Sequence, residues 1–181
     1  MSANERQAYP QAYIQFLCHF HGDRDYFECH ELLEEYWKEH PNSPFRTAWM
    51  ALIQAAVGMY HYRRGNAGGA RKSIAASIRN SNPAQLTSLG IEAGTWVKLL
   101  HELTEALSSA PISSYRDVSI PLADTELEKM CRTLCEEQGM AWEAPSTMEE
   151  GILHKHTLRD RSGVIAERRR ALADRNGRLR H

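Results

Sequence analysis

The sequence lacks the long hydrophobic run that a membrane protein needs. No stretch approaches the roughly 20 consecutive apolar residues of a transmembrane helix. The first ten residues, MSANERQAYP, do not combine a basic start with an apolar stretch, as a signal peptide does. The sequence therefore predicts a cytoplasmic protein with no membrane partner.

Cysteine is scarce as well. The chain has four such residues: Cys18, Cys29, Cys131 and Cys135. They form no CxxC pair and no framework of the kind that stabilises small secreted domains through disulfides. Cys131 and Cys135 are one helical turn apart, a spacing that is more often coincidence than a redox or metal pair. Reduced thiols in a cytosolic protein are the expectation.

A global excess of charge is also missing. The net charge of −1 gives the chain as a whole no attraction to nucleic acid or to a membrane surface. Residues 155–181 differ, because nine Lys or Arg against three acids give this tail a net charge of +6. We expect contact with nucleic acid or an acidic partner only through this tail. A solvated helical extension is the alternative. Ile165, Leu172 and Leu179, seven residues apart, are equally consistent with a helix that packs on its own domain or on a second copy in a homo-oligomer.

What the sequence has in abundance is helical periodicity. Its 181 residues, 42% of them hydrophobic, are enough for one domain with a sizeable core. Apolar residues recur every three to four positions almost throughout, and no strand-turn-strand pattern is present. The sequence predicts an all-α protein: a compact helical bundle over residues 1–138, a linker over 139–157 and a basic C-terminal helical extension over 158–181.

Several short motifs mark the expected helix ends. Asp25, followed by Glu28, is typical of a capping box, and Thr125 with Glu128 repeats the pattern. Gly65 suits the end of one helix, and Asn66 suits the start of the next. The stretch NSNPAQ at residues 80–85 predicts a turn, and residues 109–124, with two prolines and no helical period, predict an extended connection.

The most informative stretch is HELLEEYW, residues 30–37. Each helical residue advances by about 100°, which puts His30, Glu34 and Trp37 within one sector of roughly 120° together with the apolar residues. Glu31 and Glu35 fall on another side and look solvated. This geometry predicts that His30 and Glu34 point into the interior beside Trp37, and all three are candidate ligand-binding residues.

The next helix, FRTAWMALIQAAVGMYHYRR at residues 45–64, is apolar on nearly every side and should be the most buried. Its interior polar residues, Gln54 and His61, are seven apart and lie close to one line. The connection of residues 40–43 is short, so the two helices should be antiparallel neighbours with facing stripes. We therefore expect His30, Glu34, Gln54 and His61 to meet.

Three interpretations of this constellation remain open. A structural network would satisfy the buried polar groups without any ligand. Two His and one carboxylate, His30, Glu34 and His61, are also a recognised ligand set for a divalent transition metal such as zinc or iron. Alternatively, His and Glu could form an acid/base pair over a small-molecule site in which Gln54 and Asn66 orient the ligand. No nucleophile is identifiable, so the sequence does not decide whether the protein is an enzyme.

Two segments, YFECHELLEEYW and LIQAAVGMYHYRRGNAGGA, resemble the helical family catalogued as domain of unknown function 309. The resemblance covers roughly residues 10–125 and implies a compact all-α domain from a bacterial cytosolic protein, without an established activity. Carried onto this chain, the positions that the family shares are Phe27, His30, Glu34, Trp37, Gln54, His61, Gly65, Asn66, Gly69 and Ala70.

Overall fold

The computed structural model describes residues 8–109 and 115–146. Seven α-helices lie in these ranges: α1 (Gln11–His21), α2 (Tyr26–Glu39), α3 (Arg46–Arg63), α4 (Ala67–Asn80), α5 (Pro83–Ser88), α6 (Ala93–Ser108) and α7 (Thr125–Glu137). The all-α prediction is confirmed, since the only β pairing in the described ranges is an isolated bridge between Ile91 and Leu122. The basic tail and residues 147–157 of the predicted linker lie outside the described residues, so the domain boundaries stay predictions.

Helix α3 is central, as its all-round apolar sequence predicts. Twelve of its eighteen residues are buried, and it packs against α2, α4 and α5. Gly58 permits the approach of α4, because a Cβ atom at this position would lie 2.5 Å from Ile74 Cδ1. Neither α3 nor any other helix of the described ranges is both long and apolar enough to cross a membrane.

The helix ends follow the predicted caps around the second and third helices. The Asp25 carboxylate accepts the Glu28 N–H at 3.0 Å at the start of α2. Gly65 has a positive φ of 77° after α3, a conformation that favours glycine. Asn66 then caps α4 by accepting the Gly69 N–H at 3.0 Å. These local signals fix the start of α2, the end of α3 and the start of α4.

Two local predictions need correction. The NSNPAQ stretch is not only a turn, because Pro83 opens the short helix α5 and the Asn82 side chain caps it. Proline is favoured in the first turn of a helix, where its missing N–H leaves no bond unmade. At α7 the cap is Asp124 instead of Thr125, since the Asp124 carboxylate accepts the N–H groups of Glu126 and Leu127.

The extended connection and the residues after α7 both pack against the end of α1. Residues 115–124 contain no helix, as predicted. His21, fully buried at the end of α1, accepts the Ile120 N–H at Nε2 (2.9 Å) and donates from Nδ1 to the Leu17 carbonyl (2.8 Å). The Trp142 ring stacks on this imidazole with centroids 4.3 Å apart. One neutral histidine thus joins three separate segments.

Arg24 makes a second set of long-range bonds beside His21. Its side chain is 3% exposed. Nη1 donates to the carbonyls of Phe20 (3.2 Å) and Val118 (2.9 Å), and Nε donates to the carbonyl of Ala144 (3.0 Å). A guanidinium is suited to this place, because its several donors point in fixed directions and can satisfy carbonyls from different segments.

Candidate ligand pocket between α2 and α3

The two predicted histidines meet at a pocket of about 200 Å³ between α2 and α3. His30 comes from α2 and His61 from α3. The rest of the lining is aromatic or aliphatic and consists of Tyr26, Phe27, Val57 and Tyr60. The antiparallel packing of adjacent helices therefore produces part of the predicted constellation, a pair of imidazoles at an otherwise apolar pocket.

His30 lies between two carboxylates of its own helix. Its Nδ1 atom is 3.4 Å from Glu31 Oε1, and its Nε2 atom is 3.3 Å from Glu34 Oε2. The imidazole ring also contacts Phe27, with centroids 6.0 Å apart. Two carboxylate groups therefore lie on this side of the pocket.

Glu34 is not in the interior, contrary to the prediction. Its side chain is 35% exposed, the same degree as Glu31 at 36%, and its Oε1 atom lies 3.5 Å from Lys38 Nζ. The buried face of α2 is centred on Cys29 and Leu33, and Glu34 lies roughly 120° from that centre. Ion pairs at such exposure contribute about 0–1 kcal/mol, so Glu34 is not part of a buried network.

Gln54 and Trp37 also lie away from the pocket. The Gln54 amide is half-buried, and its Nε2 atom approaches Met50 Sδ of the same helix at 3.8 Å. Trp37 packs under the Arg46 guanidinium, which lies 3.7 Å from the ring centroid, and Arg46 donates to the Trp37 carbonyl at 3.0 Å. Trp37 therefore joins the start of α3 to α2 instead of contacting a ligand at the pocket.

The predicted trio of metal ligands, His30, Glu34 and His61, is not formed. No group of three or more His, Cys, Asp or Glu side chains within residues 8–109 and 115–146 is arranged to hold a metal ion. Glu34 Oε2 approaches His30 Nε2 at 3.3 Å, but the other carboxylate oxygen of Glu34 lies 3.5 Å from Lys38 Nζ. Of the six predicted site residues, only His30 and His61 line the pocket, and Asn66 acts through His61.

Asn66 fixes the state of His61. Its Oδ1 atom accepts the Gly69 N–H, so its Nδ2 atom faces His61 Nδ1 at 3.2 Å. Donation from this amide makes Nδ1 the acceptor and leaves the ring proton of a neutral imidazole on Nε2. Burial lowers the pKa of His61, and the charge of Arg64 lowers it further. The cap of α4 thus presents His61 as a neutral hydrogen-bond donor.

Gly69 is required by this contact, and a Gly69→Ala variant tests it. A Cβ atom there would lie 2.8 Å from Asn66 Nδ2 and 2.9 Å from His61 Cγ. We expect the methyl group to separate the two side chains and to lower the free energy of unfolding by about 1–2 kcal/mol, measured by urea denaturation. NMR of the imidazole nitrogens should show His61 as a mixture of tautomers.

Gly68→Ala is the matched control, because the nearest atom to its added Cβ is Asn66 Oδ1 at 3.9 Å. Alanine has the higher helix propensity, so this variant should be as stable as the parent or more stable by up to about 1 kcal/mol. Equal behaviour of the two alanine variants would contradict the close approach at Gly69.

Comparisons with known proteins identify the family of the chain. The family model of Domain of unknown function (DUF309) matches residues 13–73. The uncharacterized protein YpuF of Bacillus subtilis (strain 168) is 40% identical over 167 residues, which cover 91% of this chain and 95% of that protein. The chain belongs to the DUF309 family. No solved structure matches it.

The DUF309 match contains the whole of α2 and α3 and therefore every residue that lines the pocket. The function of the family is unknown, as is that of YpuF. Sequence reasoning missed Tyr60 as part of the pocket. Because α3 is apolar on nearly every side, its pattern gave no signal for which aromatic residue lies at the boundary with α2.

Proposed function

We propose that this DUF309 protein is a binding protein whose pocket between α2 and α3 takes a small, uncharged molecule. The ligand would have one apolar ring or branched chain and one oxygen that accepts a hydrogen bond. The observation that carries the proposal is the meeting of His30 and His61, from two helices, at a pocket that is otherwise aromatic and aliphatic. Ligand sites commonly combine such a lining with a few polar groups.

The volume of the pocket suits a ligand with one ring. A cavity of about 150 Å³ lined by apolar side chains is known to hold benzene. The pocket between α2 and α3 has a volume of about 200 Å³, which leaves space for a ring and a small substituent. Tyr26, Phe27 and Tyr60 supply ring surfaces for contact, and Val57 supplies an aliphatic one.

The polar groups favour a neutral ligand with an acceptor oxygen. Neutral His61 carries its proton on Nε2, since Asn66 donates to Nδ1. On the other side, Glu31 and Glu34 approach His30, and their negative charges disfavour an anionic group beside α2. We therefore assign selectivity against carboxylates to α2 and hydrogen bonding of the ligand to His61.

Benzyl alcohol is a suitable probe, followed by ¹H–¹⁵N NMR of the full chain. We expect saturable shifts at residues 26–30 and 57–61, with a Kd on the order of 1 mM. Benzoate should bind more weakly. His61→Ala should raise the Kd about fivefold, which is the effect of one lost hydrogen bond. His101→Ala, an exposed histidine on α6, is the control and should leave the Kd unchanged.

Two results would overturn the proposal. One is the absence of saturable shifts around the pocket. The other is stoichiometric zinc binding that either His30→Ala or His61→Ala abolishes, which would favour a metal site completed by residues other than those described. Contact of the basic tail with nucleic acid or an acidic partner stays a separate prediction and is tested by deleting residues 155–181.

We also propose a cytoplasmic location. The four cysteines support it, because all are free thiols, as is usual for proteins of reducing compartments. Cell fractionation with an antibody against the chain tests this, and recovery in the membrane or secreted fraction would contradict it.

A further inference from the structure

Two thiols from opposite ends of the described chain meet between α1 and α7. Cys18 Sγ and Cys135 Sγ are 2.7 Å apart, although 117 residues separate them in sequence. Both side chains are fully buried. The distance is only about 0.7 Å longer than an S–S bond. The packing of α1 on α7 therefore holds the two sulfur atoms close to bonding distance.

The other two cysteines have different surroundings. Cys29 Sγ donates to the Phe16 carbonyl at 3.5 Å, within the α1–α2 contact. Cys131 lies on α7 one turn before Cys135 and is also buried. Two cysteines one turn apart on a regular helix have Cβ atoms about 5–6 Å apart, beyond the usual range for a disulfide. The geometry thus selects one pair from the four thiols.

We propose that Cys18 and Cys135 are a redox modification site and form a reversible disulfide that joins α1 to α7. With glutathione disulfide as oxidant, the Cys135 thiolate attacks one sulfur of the oxidant and releases one glutathione. The Cys18 thiolate then attacks the Cys135 sulfur of the mixed disulfide and releases a second glutathione. Two protein thiols are oxidised, and one glutathione disulfide is reduced to two thiols.

Burial controls when this reaction occurs. It raises the pKa of the Cys18 thiol, and the hydrogen bond with Cys135 raises it further. Burial likewise raises the pKa of Cys135. Because the thiolate is the nucleophile, the folded protein reacts slowly, and the bond forms during folding or when α7 opens. The site is thus protected in the reduced, folded state and reactive in an opened one.

Refolding in a glutathione redox buffer tests the proposal without hindrance from burial. The full chain is unfolded in urea, diluted into reduced and oxidised glutathione, alkylated, and analysed by intact mass and peptide mapping. We expect two of the four cysteines to be alkylated and one peptide pair linking Cys18 to Cys135. The oxidised protein should have a Tm higher by on the order of 10 °C, and a reductant should reverse the shift.

Single variants provide matched controls. Cys29→Ser and Cys131→Ser should each retain the disulfide, whereas Cys18→Ser should lose both the disulfide and the oxidant-dependent shift in Tm. Four alkylated cysteines, a bond between Cys131 and Cys135, or stable glutathione adducts in the parent chain would each overturn the proposal. The peptide map of the parent chain decides the question even if a variant fails to fold.

Discussion

Replacing Arg24 with alanine should lower the free energy of unfolding by about 3–4 kcal/mol. The change removes all three donated hydrogen bonds, to the carbonyls of Phe20, Val118 and Ala144, and leaves those acceptors at a buried site. Hydrogen bonds from a charged group contribute about 1.5–3 kcal/mol each, and relief from burying the guanidinium offsets part of the loss. The net effect is large because one side chain serves three segments.

Urea denaturation measures this loss, and hydrogen exchange locates it. Exchange should accelerate at residues 115–120 and 141–146 before it does in α3, because those segments lose their link to α1. Arg79→Ala is the matched control, since Arg79 is exposed on α4, and its loss should change stability by less than about 0.5 kcal/mol. Similar values for the two variants would refute the role of Arg24.

Lowering the pH from 7 to 4 should remove about 3 kcal/mol of stability through His21 alone. Burial lowers the pKa of His21 from 6.5 to about 4. The hydrogen bond with the Leu17 carbonyl opposes this shift, and the charge of Arg24 adds to it. A histidine in the unfolded chain binds its proton near pH 6.5, before the folded protein does. The contribution of His21 to the free energy of unfolding is therefore fully present above pH 6.5 and is lost as the pH falls toward 4.

A neutral replacement isolates this contribution. The free energy of unfolding of His21→Gln should be lower at pH 7 but should depend less on pH between 4 and 6.5, measured by urea denaturation at several pH values. The contribution of His19 to stability changes with pH in the opposite direction. Burial alone would lower the pKa of His19, but the Asp23 carboxylate at 3.0 Å raises it overall. His19→Gln should therefore steepen the acid loss. If the free energy of unfolding of His21→Gln depended on pH as strongly as that of the parent chain, His21 would be excluded as the cause.

Most of the helices and the caps of α2 and α4 could be predicted because their signals are local. Asp25 and Asn66 find their backbone partners within three residues, so the sequence contains the whole interaction. The burial of α3 is equally local, since a helix without a polar face has to be surrounded. The same reasoning located two of the pocket residues, His30 and His61.

The error at Glu34 has a physical source. A helical wheel gives the direction of a side chain around its own axis but not how far the neighbouring helix extends over it. Glu34 lies just beyond the edge that α3 covers, so it stays at the surface beside Lys38. The roles of His21 and Arg24 could not be predicted at all, because their partners lie roughly 100 residues away and no short motif marks them.

The distant partners of α1 and Arg24 also affect how the protein folds during its synthesis. The hydrogen bond from Arg24 to the Ala144 carbonyl can form only after 120 further residues have been synthesised. Their synthesis takes roughly 6–24 s at a ribosomal rate of about 5–20 residues per second. The pocket residues all lie between Tyr26 and His61, so α2 and α3 can pair early in translation. Meanwhile the face of α1 that later meets α7 stays open to chaperones. The nascent chain can thus form the pocket between α2 and α3 before α1 can pack against α7.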